Sequence, residues 1–296
     1  SVRTTKNYPD LFDMDLDAVV IATPPATHYA IAKDCLEHGL HVLVEKPITL
    51  RSADAEDLIR TADNQQRWLM VGHTFLFNSA VETLKKMIES GELGQIYYID
   101  AARLNLGLFQ RDSNVVWDLA PHDIAILLYL LGNDPISVIA HGQSSIMDGV
   151  HDLAYMNLVF PNNILAHVHV SWLDPCKIRR ITVVGSKKMV VYNDVDTTKK
   201  ITIYDKGVEV PPYTNTFEEF QCSYHYGDIT IPNIKSTEPL RTECTHFLDC
   251  IINNQKPKTS GEEGLRVVKI LETAQNSLMN NGHHEMVPHT EHQGVY

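Results

Sequence analysis

Apolar runs alternate with amphipathic segments in the opening part of the chain. Residues 19–22 and 42–44 are continuously apolar, as expected of strands in a parallel sheet that is covered on both faces. Thr27 is placed to cap an intervening helix, and Gly39 to end it. The spacing predicts a strand–helix–strand crossover whose parallel strands finish at the same edge of the sheet. Ligands of open α/β sheets bind at that edge.

The same alternation continues to about residue 94. Apolar positions predict a second helix over residues 55–62, capped by Thr49 or Ser52, then a buried strand at 68–71. A further amphipathic helix spans residues 81–88 and ends at Gly91. We therefore expect an α/β domain built on a parallel sheet over residues 1–94.

From Gln95 onward the pattern changes to strands joined by short turns. Seven strands are predicted, at residues 96–104, 136–145, 153–160, 164–172, 178–184, 189–192 and 201–204. Residues 161–163 and 185–188 form hairpin turns, while residues 115–131 form a long helix that ends at Gly132. Two more helices follow at 243–252 and 262–279. This predicts an α+β domain over residues 95–296, an open, predominantly antiparallel sheet covered by helices on one face.

Composition narrows the functional classes. The chain has 296 residues, is 44% hydrophobic and carries a formal net charge of -12, which disfavours binding to nucleic acid or to an anionic membrane. No apolar stretch is long enough to span a bilayer. The five cysteines are scattered and form no CxxC pair, which indicates a reduced, cytoplasmic protein.

Two segments carry candidate chemistry. Lys46, in the EKP corner after the second strand, lies either at the ligand-binding edge or in an ordinary solvated loop. Asp118 and His122 are four residues apart in WDLAPHD, so they share one face of a helix. Alternatively, Asp118 caps that helix, with Pro121 in its first turn and His122 on the surface. His73 is a lone histidine for which structural and functional roles are equally open.

The segments VVIATPPATH, HVLVEKP, WDLAPHD and SGEEGLRVVKILETAQNSL together resemble the Gfo/Idh/MocA family of oxidoreductases. The resemblance implies a catalytic set of Lys46, Asp118 and His122 and a nicotinamide cofactor, NAD or NADP. The cofactor contacts that it implies are Ala22, Thr23, Pro24, Pro25, His28, Glu45, Lys46, Pro47 and His73. No GxGxxG turn occurs in the chain, so the resemblance also implies an incomplete Rossmann-type domain whose first βαβ unit would precede Ser1.

The implied reaction is oxidation of a secondary alcohol. His122 would take the hydroxyl proton, Asp118 would orient the imidazole or bind a sugar hydroxyl, and Lys46 would hydrogen-bond the reacting oxygen. The resemblance favours a sugar or nucleotide sugar as substrate, in particular 3-oxidation of UDP-N-acetylglucosamine. Alternatives are oxidation of a free sugar or inositol, and a non-catalytic cofactor-sensing or scaffold protein on the same fold. A metal enzyme is not predicted, although His167 and His169 share a strand face.

The substrate would meet basic and aromatic residues of the second domain. The predicted contacts are Lys46, Arg103, Asn105, Trp117, Asp118, His122 and Trp172. Arg103, together with Lys177, Arg179 and Arg180, could recognise an anionic substrate, although a solvated outer face explains the last three equally well. The open face of the antiparallel sheet is expected to form a homodimer or homotetramer.

Overall fold

A three-stranded parallel sheet and a nine-stranded, mostly antiparallel sheet form the framework of the chain. A computed structural model describes residues 3–111, 113–209, 222–235 and 237–288. The helices are α1 His28–Glu37, α2 Ser52–Gln65, α3 Ser79–Glu89, α4 Val115–Leu131, α5 Pro239–Asn253 and α6 Gly261–Met279. The strands are β1 Ala18–Ile21, β2 His41–Glu45, β3 Leu69–Gly72, β4 Ile96–Leu104, β5 Ser137–Gln143, β6 Leu153–Val159, β7 Leu165–Ser171, β8 Ile178–Gly185, β9 Met189–Asn193, β10 Ile201–Glu209, β11 Ser223–Thr230 and β12 Glu285–Met286.

The predicted parallel crossover is confirmed. Strand β2 is the middle strand, and it pairs in parallel with β1 and with β3. Helix α1 ends before Gly39, whose φ of 77° lies in the left-handed region that favours glycine. All three strands therefore finish at one edge, where the candidate ligand-binding residues lie.

The predicted helix caps in this part of the chain are wrong. Thr27 occupies the N-cap position of α1, but its hydroxyl accepts no N–H of the helix and donates to the carbonyl of Pro24 instead. The Thr49 hydroxyl donates to the carbonyl of Arg51. The backbone N–H of Ser52, at the start of α2, donates to Glu272 of α6 across 2.9 Å. A side chain from a distant helix thus supplies the acceptor that local sequence was expected to provide.

The second sheet has the order β11-β10-β9-β8-β4-β7-β6-β5-β12. Among the strands that the structure describes, β4 and β7 are the one parallel pair of this sheet, so the predicted predominantly antiparallel sheet is confirmed. Helix α4 packs on one face, where Ala166, Val168 and Val170 of β7 are fully buried. The opposite face exposes large side chains, including Tyr98, Tyr155 and Leu165.

Three features of this sheet were not predicted, one of them the short strand β12, which pairs antiparallel with β5. Strand β10 continues to Glu209, and β11 follows at Ser223–Thr230, paired antiparallel with it. Nearly every described side chain of β11 is exposed, so the alternation of apolar and polar residues that marks a half-buried strand is missing. Backbone pairing with β10 defines this strand instead.

Helix α4 has the predicted bounds, and its N-cap is not Asp118. Asn114 is the N-cap, and its side-chain oxygen accepts from the N–H groups of Val116 and Trp117 at 3.0 and 3.2 Å. Asp118 is therefore not the cap, and Pro121 lies inside the helix. Gly132 ends the helix with a φ of 71°.

The chain divides into two units at positions that differ from the expected boundary at residue 94. The first unit comprises residues up to Thr74 together with Glu238–Glu272, and the second comprises the remainder. Helix α3 belongs to the second unit because it packs on α4 and β9. The carbonyl of Thr259 accepts the N–H of Val71 at 2.7 Å, which ties the returning tail to β3 in the first unit.

Candidate active site

The carboxyl edge of the parallel sheet carries the predicted cofactor residues of the first unit. Ala22, Thr23 and Pro24 follow β1 and are exposed. Lys46 follows β2 and is half-buried, and its backbone N–H donates to Glu45 Oε2 at 3.3 Å. A Cβ on Gly72 of β3 would lie 3.1 Å from that same oxygen, so the glycine leaves room for the Glu45 carboxylate. These residues stand at one sheet edge, as the crossover predicted.

His28, a predicted cofactor contact, has a structural role at this edge. Its side chain is fully buried, and its ring nitrogens lie 2.8 Å from the carbonyl oxygens of Thr23 and Pro47. Both nitrogens are thereby occupied by protein groups. His28 ties the turn after β1 to the corner after β2, and Pro47 is itself buried in that corner.

His73 follows β3 at the same edge and is buried, with 2% of its surface exposed. Within the described part of the chain, neither ring nitrogen has a hydrogen-bond partner. Burial, and secondly the charge of Lys46, lower the pKa of His73 to about 4. The imidazole is therefore neutral near pH 7, with one donor and one acceptor available to a polar ligand.

Glu243 of α5 is a buried carboxyl that the sequence did not single out. The Thr74 hydroxyl donates to its Oε2 at 2.8 Å, and its Oε1 is buried without a partner among the described residues. Burial raises the pKa of Glu243 to about 7; the Thr74 hydrogen bond opposes this shift and the charge of Glu45 adds to it. A single glutamate in an amphipathic helix looks like an ordinary surface residue, so only its burial reveals it.

Asp118 and His122 lie one turn apart on α4 in the second unit. Trp172, which follows β7, donates its indole N–H to Asp118 Oδ2 at 2.9 Å. Only 1% of the Trp172 surface is exposed, and Gly107 and Phe109 lie against its ring. Trp172 is thus covered and holds Asp118 in place, and its predicted contact with substrate stays a prediction.

Arg103, a predicted substrate contact, is buried in an ion pair. Its guanidinium donates from Nε and Nη2 to the two carboxylate oxygens of Asp123 at 2.8 and 2.9 Å, and both side chains are almost fully buried. Burial opposes the charge, but the Asp123 carboxylate outweighs it and the pKa of Arg103 is raised. The paired fork has no face toward solvent.

Other predicted contacts are more accessible. Asn105 and Trp117 are half-buried, and the backbone N–H of Asn105 donates to the carbonyl of Ser171. Arg179 of β8 is half-buried beside Arg103, and its Nε has no partner in the described ranges. Burial, and secondly the charge of Arg103, lower the pKa of Arg179. Because its surroundings disfavour the charged form, the Arg179 guanidinium would be stabilised by an anionic ligand.

The residues at the edge of the parallel sheet fit a nicotinamide dinucleotide. The exposed turn after β1 offers backbone groups, Lys46 supplies a cation, and the neutral His73 has unsatisfied ring nitrogens. Lys46 belongs to the first unit, whereas Asp118 and His122 belong to the second. Their convergence on one substrate stays a prediction.

The described residues also bear on membrane spans and on metal sites. No helix there is both long and apolar enough to cross a membrane. Nor do those residues contain a group of three or more histidine, cysteine or acidic side chains placed to hold a metal ion. His167 contacts Asn157, and both His167 and His169 stack on the ring of Tyr155.

Sequence comparison assigns both parts of the chain. The model of the oxidoreductase family with an NAD-binding Rossmann fold matches residues 1–73, and that of the GFO/IDH/MocA C-terminal domain matches residues 81–191. UDP-N-acetylglucosamine 3-dehydrogenase of Acidithiobacillus ferrooxidans is 28% identical over 86% of this chain and 76% of its own length. The scyllo-inositol 2-dehydrogenase (NAD(+)) of Bacillus subtilis is 24% identical over 92% of this chain and 78% of its own.

A solved structure supports the fold. The WlbA dehydrogenase from Bordetella pertussis, in complex with NADH and UDP-GlcNAcA, superposes with a TM-score of 0.75 at 20% identity. The match covers 96% of this chain and 83% of that chain. The two-domain architecture is thus shared over nearly the whole sequence.

Proposed function

This chain belongs to the Gfo/Idh/MocA family of NAD-binding oxidoreductases, and from that premise we propose that it oxidises a secondary alcohol of a nucleotide sugar. One observation carries the proposal most directly: α4 presents Asp118 and His122 one turn apart, with Asp118 held by the indole of Trp172. An aspartate fixed in this way can in turn fix a histidine or a sugar hydroxyl. This is the arrangement that a positioned general base requires.

Each residue of the proposed catalytic set has one task. His122 accepts the proton of the substrate hydroxyl, since an imidazole has an ordinary pKa close to neutral pH. Asp118, oriented by Trp172, holds the imidazole or an adjacent hydroxyl. Lys46 donates to the reacting oxygen and stabilises its alkoxide character. A bound nicotinamide would supply the hydride acceptor.

Arg179 supports a substrate that carries negative charge. Its half-buried guanidinium lies beside Arg103, and the charge of Asp123 is already taken up by the Arg103 fork. A diphosphate or a uronate carboxylate would complete the hydrogen bonds of Arg179. The similarity to a UDP-N-acetylglucosamine 3-dehydrogenase supports the same class of substrate.

Oxidation of an inositol is the second candidate. An inositol 2-dehydrogenase matches slightly more of this chain, at somewhat lower identity. An inositol carries no charge and would offer no anionic oxygen to the unsatisfied Nε of Arg179. Arg179→Gln therefore separates the two candidates: it should raise KM severalfold or more for a nucleotide sugar and leave KM for an inositol unchanged.

Turnover tests the function itself. Purified protein would be assayed with NAD or NADP against UDP-N-acetylglucosamine, myo-inositol, scyllo-inositol and glucose, following formation of the reduced cofactor and identifying the ketone by mass spectrometry. We expect oxidation of the UDP-sugar, abolished in His122→Ala. Cofactor binding without oxidation of any of the four would favour a cofactor-sensing protein. Oxidation of an inositol alone would overturn the nucleotide-sugar assignment.

A further inference from the structure

The ring of Phe75 lies between a buried arginine and the proposed base. The guanidinium carbon of Arg103 is 4.5 Å from the centroid of the Phe75 ring. The centroid of the His122 ring is 5.0 Å from the same point, and the two ring planes meet at 72°. These separations are favourable for a cation–π contact and for an edge-to-face aromatic pair. Phe75 thus connects His122 to Arg103.

Arg103 cannot turn away from Phe75 without losing its partner. Its two hydrogen bonds to Asp123 are parallel and short, and a bidentate fork fixes the plane of the guanidinium. The exposed fractions of the two side chains are only 3% and 2%. Asp123 directly follows His122 in α4, so the pair anchors to β4 the helical turn that carries His122.

We propose that Phe75, held by the Arg103–Asp123 pair, is a positioning residue for His122. The proposal rests on the proposed role of His122 as the general base. An imidazole that projects from a helix can rotate about its side-chain bonds, and a rigid ring against it removes part of that freedom. Proton transfer depends on hydrogen-bond geometry, so even a small displacement of the imidazole slows the reaction.

A purely structural role for the ion pair explains less of this arrangement. A buried ion pair contributes little net stability compared with well-packed apolar residues. Stability alone also gives no reason for the guanidinium to stack on the ring that contacts His122. Positioning accounts for both the buried charge pair and the stacked geometry.

The first experiment removes the ring and keeps an apolar side chain. Phe75→Leu should lower kcat by about tenfold or more, while KM and cofactor affinity stay near their wild-type values. Phe75→Tyr, which retains the ring, should recover most of the activity. The assay would use UDP-N-acetylglucosamine deuterated at the reacting carbon, or the equivalent myo-inositol if that is the compound oxidised.

The isotope effect separates positioning from loss of folded protein. If the imidazole is displaced, the chemical step slows and the deuterium isotope effect on kcat should increase. A smaller folded fraction would lower kcat without changing the isotope effect. Phe12→Leu is a matched control because Phe12 stacks on His38, at the end of α1 remote from the carboxyl edge of the sheet. Phe12→Leu should change neither kcat nor the isotope effect.

A second experiment needs no turnover. In spectra of protein labelled at histidine, the His122 ring signal, assigned with His122→Gln, should broaden or split in Phe75→Leu. Arg103→Lys keeps the charge but loses the planar fork that holds Phe75 and Asp123, and it should produce the same change. Thermal unfolding of each variant would verify that it is folded.

These measurements test the positioning role of Phe75 separately from the role of His122 as the base. Wild-type kcat, isotope effect and His122 line shape in Phe75→Leu would overturn the positioning role. Wild-type turnover in His122→Ala would instead overturn the role of His122 as base, whatever the Phe75 variants do. Broadening in Phe75→Leu together with a reduced kcat and an increased isotope effect would support both.

Discussion

The indole of Trp172 donates a hydrogen bond to Oδ2 of Asp118 across 2.9 Å, which joins the end of β7 to the opening turns of α4. The tryptophan is covered by the segment that contains Gly107 and Phe109. The orientation of the proposed catalytic aspartate is therefore set by a residue far away in sequence.

Replacing Trp172 by phenylalanine should test that link. The ring would still fill its pocket, but the hydrogen bond to the Asp118 carboxylate would be lost. Hydrogen bonds to charged groups contribute about 1.5–3 kcal/mol, so we expect kcat/KM to fall by about tenfold or more. Steady-state kinetics would measure kcat/KM. Trp68→Phe, just before the amino end of β3, is the control. Equal kcat/KM in Trp172→Phe and wild type would contradict the link.

Lys46, Asp118 and His122 are predicted to act as one catalytic unit. His122→Ala should lower kcat by about 10² to 10⁴ with cofactor affinity little changed, as is usual for loss of a general base. Lys46→Ala should have a comparable effect and weaken cofactor binding as well. The double variant should lose less than the product of the two single effects.

A variant of another lysine is the control for Lys46→Ala. Lys86 of α3 is exposed, so Lys86→Ala removes a lysine from a helix surface and should leave kcat unchanged. Strictly multiplicative effects of the Lys46 and His122 variants would show that the two residues act independently.

Glu243 should make the protein less stable as pH rises. Its carboxyl has a pKa of about 7 in the folded chain and an ordinary value of 4.5, so the folded state holds the proton more tightly. The stabilisation is complete below pH 4.5 and is lost as pH rises through 7. Relative to wild type, Glu243→Gln should gain about 3 kcal/mol in free energy of unfolding across this range.

His73 should make the protein less stable as pH falls, the opposite of the effect of Glu243. Its pKa is lowered from 6.5 to about 4, so the folded chain binds the proton more weakly than the unfolded chain. Its contribution is complete above pH 6.5 and is lost as pH falls through 4. Urea unfolding at several pH values should show Glu243→Gln gaining stability with pH and His73→Gln losing it, both relative to wild type. If the free energies of unfolding of the two variants changed with pH in the same way, these two pKa shifts would be contradicted.

The open face of the antiparallel sheet is predicted to pair with a second copy of the chain. Tyr98, Tyr155 and Leu165 lie on adjacent strands of this face and are each more than 40% exposed. Leu165→Asp should convert the assembly to monomers, because it would bury a charge in the interface. Light scattering would measure the mass, with Tyr224→Asp on edge strand β11 as control. A wild-type monomer at micromolar concentration would refute the prediction.

Local sequence was sufficient for the elements whose burial is regular. The bounds of α4 and β4 follow from apolar periodicity, and the ends of α1 and α4 follow from Gly39 and Gly132. The edge that carries Lys46 follows as well, because a short crossover makes neighbouring strands parallel. These features depend on residues close together in the chain.

Tertiary structure alone decided what the buried polar groups do. Arg103 meets Asp123 from 20 residues away, Trp172 meets Asp118 from 54, and Thr74 meets Glu243 from 169. Periodicity shows that a side chain faces inward, but it does not identify the partner that side chain will find there. A buried arginine is therefore indistinguishable in sequence from one that binds substrate, since both obey the same local pattern and differ only in which distant residue folding brings beside them.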